Sequence, residues 1–495
     1  MNPELEKYLH LSRRQFFGRT ASGIGIAALA SLLQEEGLAA PAKPAKKTGP
    51  AVKPAAAAGP RTHLPAKAKR VIVLWQGGAP SHVDLFDHKP GLDALRGEQV
   101  PESVRSKVRL STMTAGQQSH PVLPAQKPFK QYGKSGMWLS ELLPHTGSIA
   151  DDLCLINSMH TEAVNHAPGV TFMLTGSQIP GRPSMGAWAT YGLGSMTSDL
   201  PSFCVMTSTD VGRTCGQLFY DYYWGSGFLP SKFQGVRFRS DGEPVPYLAT
   251  PEGMPQALRR GVLDDIAALN KRRLQDYGDP EIETRITQYE LAYRMQASVP
   301  ELLDISTETK QTLEMYGPDV ERPGSYARNC LLARRLVERG VRFVQLMHSG
   351  WDQHSNWSTQ LAVQCRDTDQ PSAALVKDLK QRGLLEDTIV LWASEFGRTV
   401  FVQGDITKPA GHGRDHLGSV YSMWAAGGGF KGGTVYGESD EFCYNVARDG
   451  VHVHDLQATI LNQLGLDHTR LTYEYQGRNF RLTDVFGNVV KGLLA

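Results

Sequence analysis

Hydrophobic residues in this chain fall into short continuous runs. The first run covers residues 70–75 and ends abruptly at the polar Gln76. Continuous apolar runs of this length are typical of strands that are buried on both faces of a mainly parallel sheet. The same pattern predicts further strands at residues 153–156, 341–347, 388–393 and 420–426.

Stretches with helical spacing separate these runs. Two of them, at residues 326–339 and 373–382, stop at Gly340 and Gly383, and each is followed by an apolar run. A helix, a glycine stop and a buried strand in that order are typical of parallel α/β units. Further helices are predicted at residues 140–150, 168–176, 253–298 and 455–464. The pattern therefore predicts an α/β domain at residues 70–495, with a mainly parallel sheet flanked by helices and a charged helical insertion.

The N-terminal segment differs in composition from this domain. Arg13 and Arg14 precede an aromatic pair and a weakly apolar stretch at residues 21–33, which resembles a twin-arginine export signal. We predict a signal peptide at residues 1–38 and a disordered Ala/Pro/Lys linker at 39–69. The expected partner is the twin-arginine translocase, and the expected location is the periplasm or the extracellular space. No later run is long enough to predict a transmembrane segment.

Charge and cysteine content narrow the function classes. Residues 1–70 hold 12 Lys and Arg against 4 Asp and Glu, so the rest of the chain carries −6 of a total charge of +2. A mildly acidic body does not predict nucleic-acid binding, which needs a basic surface. The six cysteines are scattered without a CxxC pair, which favours neither a disulfide scaffold nor a structural zinc knuckle.

Polar clusters follow three of the predicted strands, and a later loop adds two histidines. Ligands of open α/β sheets bind outside the carboxyl ends of the strands, so we expect these side chains to converge. The candidate metal ligands are His82, Asp84, Asp352, His354, Glu395, His412 and His416. Imidazole with carboxylate favours Zn²⁺ or Mn²⁺, with Ca²⁺ as the alternative. A single histidine and aspartate two residues apart in a loop, taken alone, are typical of an ordinary hydrogen-bonded pair.

One segment resembles the nucleophile motif of sulfatases, Cys-x-Pro-x-Arg followed by Leu-Thr-Gly. Pro168 and the Leu-Thr-Gly at residues 174–176 are in register, but His166 stands at the cysteine position and Val170 at the arginine position. The Ser-Glu-Phe-Gly at residues 394–397 is similar to the sulfatase Ser-Asp-His-Gly. Because a histidine cannot become formylglycine, ordinary sulfatase chemistry is not expected.

The whole body resembles an exported bacterial family, domain of unknown function 1501, which is assigned to the alkaline phosphatase/sulfatase superfamily. The matching phrases are GGAPSH at residues 77–82, GWDQH at 350–354, EFGRT at 395–399, GRDH at 413–416 and VHDL at 453–456. This resemblance implies an alkaline phosphatase-like core and a bound metal. It does not imply a substrate.

Together these features predict an exported metal-dependent hydrolase of sulfate or phosphate esters that lacks the usual Cys or Ser nucleophile. The substrate would be a small anionic ester or a sulfated polymer, held by Arg398 or Arg414 in a fork. His166 would act as ligand or general base, with its pKa lowered by the helix N-terminus. The alternative is a non-catalytic exported metal-binding or structural protein that retains the fold.

Overall fold

The computed structural model describes residues 62–108, 110–208, 219–239, 244–245, 250 and 253–495. The predicted signal peptide, most of the predicted linker and Cys215 lie outside these residues. The last part of the predicted linker is ordered, because the amides of His63 and Lys67 donate to the carbonyls of Gly465 and Gln463. Residues 63–69 of the predicted linker are therefore hydrogen-bonded to the α/β domain.

The described strands build one large mixed sheet and several two-stranded ribbons. In chain order they are β1 (Arg70–Gly77), β2 (Phe129–Tyr132), β3 (Met137–Ser140), β4 (Leu153–His160), β5 (Phe203–Thr207), β6 (Val236–Phe238), β7 (Phe343–Ser349), β8 (Thr388–Ala393), β9 (Gly397–Gln403), β10 (Gly413–Leu417), β11 (Tyr421–Ala426), β12 (Thr434–Tyr436), β13 (Glu438–Ser439), β14 (Val446–Arg448), β15 (Val451–His452), β16 (Tyr473–Tyr475) and β17 (Arg478–Phe480).

The main sheet has the order β12-β4-β11-β8-β1-β7-β5-β6, and β15 pairs with β4. The neighbours from β8 to β6 are parallel, whereas β11 runs antiparallel between β8 and β4. Trp75 in β1 is in register with Met347 in β7 and with Ala393 in β8. The carboxyl ends of these three strands therefore meet at one edge of the sheet.

Helices cover both faces of this sheet. In chain order they are α1 (His82–Leu85), α2 (Glu102–Arg105), α3 (Pro144–Gly147), α4 (His166–Thr175), α5 (Met185–Leu193), α6 (Gln256–Tyr277), α7 (Pro280–Leu303), α8 (Lys310–Tyr316), α9 (Tyr326–Glu338), α10 (Trp357–Gln381) and α11 (Val453–Gln463). Within the described ranges, no helix combines the length and apolar character that crossing a membrane requires.

Alternate residues of β1 supply two separate hydrophobic cores. Ile72 and Leu74 pack in the core that includes α9 and α10, whereas Val71 and Val73 pack in the core that includes α4, α5 and α11. Successive strand side chains point to opposite faces, so a strand that is apolar at every position is covered on both sides. The predicted α/β fold with a mainly parallel sheet between helices is confirmed, and the charged insertion forms α6 and α7.

Two predicted helices differ from the structure. The helix predicted at residues 373–382 begins earlier, at Trp357. The hydrophobic pattern does not reveal its first half because several polar residues there are buried against other parts of the chain. Asp369, for example, accepts hydrogen bonds from the amides of His145 and Thr146 at 2.8 and 2.7 Å. The helix predicted at residues 140–150 is reduced to the single turn of α3 after β3.

A candidate metal centre at the carboxyl edge of the sheet

Four side chains converge at the carboxyl edge of the sheet. His166, Asp352, His354 and His416 each place one potential ligand atom within 4.8 Å of the other three. Asp352 Oδ1 lies at the centre, 3.1 Å from Nε2 of His166, 2.7 Å from Nε2 of His354 and 3.4 Å from Nε2 of His416. Three imidazoles and one carboxylate form a ligand set that suits Zn²⁺ or Mn²⁺.

The four residues come from three separate parts of the fold. His166 is the first residue of α4, which follows β4. Asp352 and His354 lie in the loop after β7, and His416 belongs to β10, which pairs with β9 in a ribbon that starts just after β8. The site therefore forms because the ends of β4, β7 and β8 face the same side of the molecule.

Each imidazole of the cluster is oriented by an oxygen atom behind it. The Nδ1 acceptors are Glu395 Oε1 for His166 at 2.7 Å, Gln403 Oε1 for His354 at 2.6 Å and the Val164 carbonyl for His416 at 2.8 Å. These oxygens accept the Nδ1 proton, so a neutral ring in this arrangement can offer its Nε2 lone pair to a metal ion beside Asp352. Metal-ligating histidines are typically oriented in this way.

Glu395 stands one hydrogen bond behind the cluster. Its side chain is fully buried, and its Oε1 also accepts the Gly78 amide at 2.9 Å. The hydroxyl of Ser394 donates to Oε2 at 2.8 Å. The sequence predicted Glu395 as a metal ligand, and the structure places it as the partner of His166 Nδ1.

Charges in the cluster shift the pKa values of its members. Burial lowers the pKa of His166, but hydrogen bonds and charges from Asp352 and Glu395 outweigh burial and raise it. The prediction that the helix N-terminus lowers this pKa was therefore wrong, because two carboxylates contact the ring. Burial alone would raise the pKa of Asp352, whereas the Arg398 charge and the three histidines hold it well below its usual range. Burial, Arg398 and His166 lower the pKa of His416.

The two arginines predicted to bind an anion are both buried and bound by the protein. Arg398 Nη2 donates to Asp352 Oδ1 at 2.7 Å, and its Nε donates to the Ala79 carbonyl at 2.9 Å. Arg414 forms two hydrogen bonds with Asp84, at 2.7 and 3.1 Å, and its remaining donors reach backbone carbonyls.

The other predicted ligands lie outside the four-residue group. Asp84 forms a buried ion pair with Arg414. His82 Nε2 donates to the Cys443 carbonyl at 2.9 Å, and burial lowers the pKa of His82. His412 lies beside Trp357, with ring centroids 6.2 Å apart, and its Nδ1 is 3.4 Å from the Asp405 carbonyl.

Sequence reasoning missed three groups that support the cluster. Gln403 and the Val164 carbonyl orient His354 and His416, and no local motif marks either of them. Asp415 accepts the amide of His416 at 2.7 Å and the hydroxyl of Ser111 at 2.7 Å. Asp415 lies between Arg414 and His416 in the GRDH motif at residues 413–416, and this position is the sequence feature that could have identified it.

The fold and the site define an α/β protein with a His/Asp cluster, suited to a divalent metal, at the carboxyl edge of its sheet. The chain belongs to the family described as "Protein of unknown function (DUF1501)", which matches residues 68–494. None of the curated proteins compared with the chain matches it.

Solved structures with similarity to this chain include a sulfatase and an alkaline phosphatase. The PsFucS1 sulfatase from Pseudoalteromonas sp. is 13% identical, with a TM-score of 0.33 and coverage of 81% of this chain and 68% of that chain. The alkaline phosphatase from the Antarctic bacterium TAB5 is 10% identical, with a TM-score of 0.30 and coverage of 80% of this chain and 98% of that chain. Ps i-CgsB, solved in complex with k-i-k-neocarrahexaose, is 11% identical, with a TM-score of 0.31 and coverage of 65% and 66%. This chain thus spans about two thirds of the length of Ps i-CgsB.

Proposed function

We propose that this protein is an exported, metal-dependent hydrolase of sulfate or phosphate esters. The observation that carries the proposal is the convergence of three oriented Nε2 atoms on one oxygen of Asp352. An α/β sheet that places such a cluster outside its strand ends presents it where ligands of these folds bind. We propose His166, Asp352, His354 and His416 as the ligands.

The residues present fit a divalent ion. His166 Nε2 is buried, and it lies 3.1 Å from Asp352 Oδ1. The raised pKa of His166 has the same origin, since two carboxylates around the ring favour an added positive charge. A divalent cation would supply that charge, and it would displace the proton from the ring. Three imidazoles favour Zn²⁺ or Mn²⁺ over Ca²⁺.

Each residue of the chain has a defined task in this proposal. A bound divalent ion would lower the pKa of a water molecule and neutralise charge that develops on the ester. His166 occupies the position of the sulfatase nucleophile but belongs to the ligand set, so the attacking group is water and not a side chain. Glu395 and Gln403 hold two of the imidazoles in the ligating tautomer.

The proposal extends to transport and substrate. The twin-arginine leader would deliver a folded protein to the periplasm or beyond, through the twin-arginine translocase. The substrate would be a small anionic ester or a sulfated polymer, because the charge of the bound ion favours an anion at the site.

The test uses purified protein carrying its native metal. Elemental analysis should find a divalent metal in stoichiometric amount. The protein should hydrolyse p-nitrophenyl phosphate, bis(p-nitrophenyl) phosphate or p-nitrophenyl sulfate, lose this activity with chelator, and regain it with Zn²⁺ or Mn²⁺. Asp352→Ala is the matched inactive control. Stoichiometric metal with no hydrolysis of any ester would instead favour the non-catalytic metal-binding protein.

A further inference from the structure

We infer that this centre holds a single divalent ion, and that the guanidinium of Arg398 occupies the place of a second one. The inference rests on the proposed metal centre. It goes beyond that centre by fixing the number of ions and by assigning Arg398 a role other than anion binding.

Arg398 is a fixed part of the cluster. Its side chain is 2% exposed, and Nη2 donates at 2.7 Å to Asp352 Oδ1, the oxygen that the three Nε2 atoms face. Nε and Nη1 donate to the carbonyls of Ala79 and Arg414 at 2.9 and 3.1 Å, and Nη2 also reaches the Gly78 carbonyl. Backbone acceptors on several sides hold the guanidinium against this carboxylate.

The position of the guanidinium opposes a second ion. In two-metal sites the ions lie about 3.5–4 Å apart, which requires a close set of anionic ligands between and around them. The carboxylate at the centre of this cluster is Asp352, and Arg398 already contacts its inward-facing oxygen. A second ion there would lie beside a buried positive charge, where repulsion is poorly screened.

The neighbouring carboxylates supply no second ligand set. Both oxygens of Glu395 accept hydrogen bonds, one of them from His166. Asp84 is bound by Arg414, and Asp415 accepts hydrogen bonds from Ser111. Among the described residues, His166, Asp352, His354 and His416 are the one group with ligand geometry. The positive charge that a second ion would give the site therefore comes from the Arg398 side chain. A chelator cannot remove this charge.

Native mass spectrometry of the full chain tests the inference directly. The protein is stripped with chelator, reloaded with Zn²⁺ or Mn²⁺, and freed of excess ion before the spectrum is recorded. We expect one ion per chain at saturation, with elemental analysis giving the same ratio. Two ions per chain would overturn the inference while leaving the proposed metal centre intact. A chain that retains no ion would overturn both.

A pair of substitutions tests the role of Arg398 itself. Arg398→Gln removes the positive charge next to the ligand oxygen, whereas Arg398→Lys retains it. We expect Arg398→Gln to bind Zn²⁺ several-fold more tightly than Arg398→Lys at the same pH, measured by competition with a chromogenic chelator. Equal affinities, or weaker binding by Arg398→Gln, would overturn the assignment of Arg398 as the second cation. If these variants do not fold, the ion count of the unsubstituted protein decides alone.

Discussion

Glu395 and His166 are 229 positions apart in the chain, yet Glu395 Oε1 lies 2.7 Å from His166 Nδ1. The contact joins the end of β8 to the start of α4. Since Glu395 is also held by the Gly78 amide, the orientation of His166 depends on the relative placement of three strand ends. Metal binding and the tertiary fold should therefore respond together when this contact is removed.

We expect Glu395→Ala to lower bound metal and the melting temperature together. Removing a residue that orients a metal-ligating histidine typically costs about 10–100-fold in metal affinity, and here it also leaves the Gly78 amide buried without its acceptor. Elemental analysis after dialysis and a thermal melt measure the two effects. Asp352→Ala should lose the metal as well, whereas Glu386→Ala, at an exposed carboxylate, should change neither. Unchanged metal content in Glu395→Ala and Asp352→Ala would remove the site as described.

His166→Ala should abolish hydrolytic activity and leave the fold intact, because the side chain contacts Asp352 and Glu395 but is not part of a hydrophobic core. Activity on the p-nitrophenyl esters and a circular dichroism spectrum measure these two properties. His166→Cys should not gain formylglycine-dependent sulfatase activity, since Val170 replaces the arginine of that motif. Full activity in His166→Ala would show that this residue has no part in the reaction.

Arg414→Met should destabilise the protein by about 3–5 kcal/mol, because it leaves the buried Asp84 carboxylate without its partner. The free energy of unfolding in urea measures this loss. Lys380→Met is the matched control: it breaks the Lys380–Asp152 pair, in which the lysine is 59% exposed, and should cost at most about 1 kcal/mol. An Arg414→Met variant as stable as the unsubstituted protein, but with a raised KM, would instead support the predicted role of Arg414 in anion binding.

Stability should fall in acid partly through His82. Burial lowers the pKa of His82 in the folded protein, so the unfolded chain binds the proton first as the pH falls below its ordinary value of 6.5. The stability that depends on neutral His82 is therefore complete above pH 6.5 and declines below it, by at most about 1.4 kcal/mol per pH unit. Urea unfolding of the chelator-treated protein between pH 5 and 8 should give a steeper pH dependence than His82→Gln. Identical slopes for the two proteins would rule out this contribution.

Replacing Arg13 and Arg14 together by lysine should leave the full-length protein in the cytoplasm, because the paired arginines are the defining feature of the predicted twin-arginine signal. Immunoblots of cytoplasmic and periplasmic fractions measure the outcome. A double substitution at Lys46 and Lys47 in the predicted linker keeps the leader intact and should not change export. Normal export of the Arg13/Arg14 variant would contradict the predicted route.

Much of the fold could be predicted from local sequence pattern. A strand such as β8 is apolar at every position because both faces are covered, and its predicted bounds match the structure. The helices before Gly340 and Gly383 end within one residue of the predicted positions, since a glycine in the left-handed conformation stops a helix without strain. The candidate ligands could be found in the same way, because polar residues directly after buried strands must lie at the edge of the sheet.

Only the tertiary structure decided which of those polar residues meet. Asp84 and Asp352 both follow buried strands, but one pairs with Arg414 and the other faces three histidines. Gln403 and the Val164 carbonyl orient two of these histidines without any motif of their own, because a hydrogen-bond acceptor is defined by its position in space and not by its neighbours in the chain. The pKa of His166 also depends on the tertiary structure. The sequence shows only the helix N-terminus next to the ring, whereas the fold brings two carboxylates to it, and their hydrogen bonds and charges outweigh burial and raise the pKa.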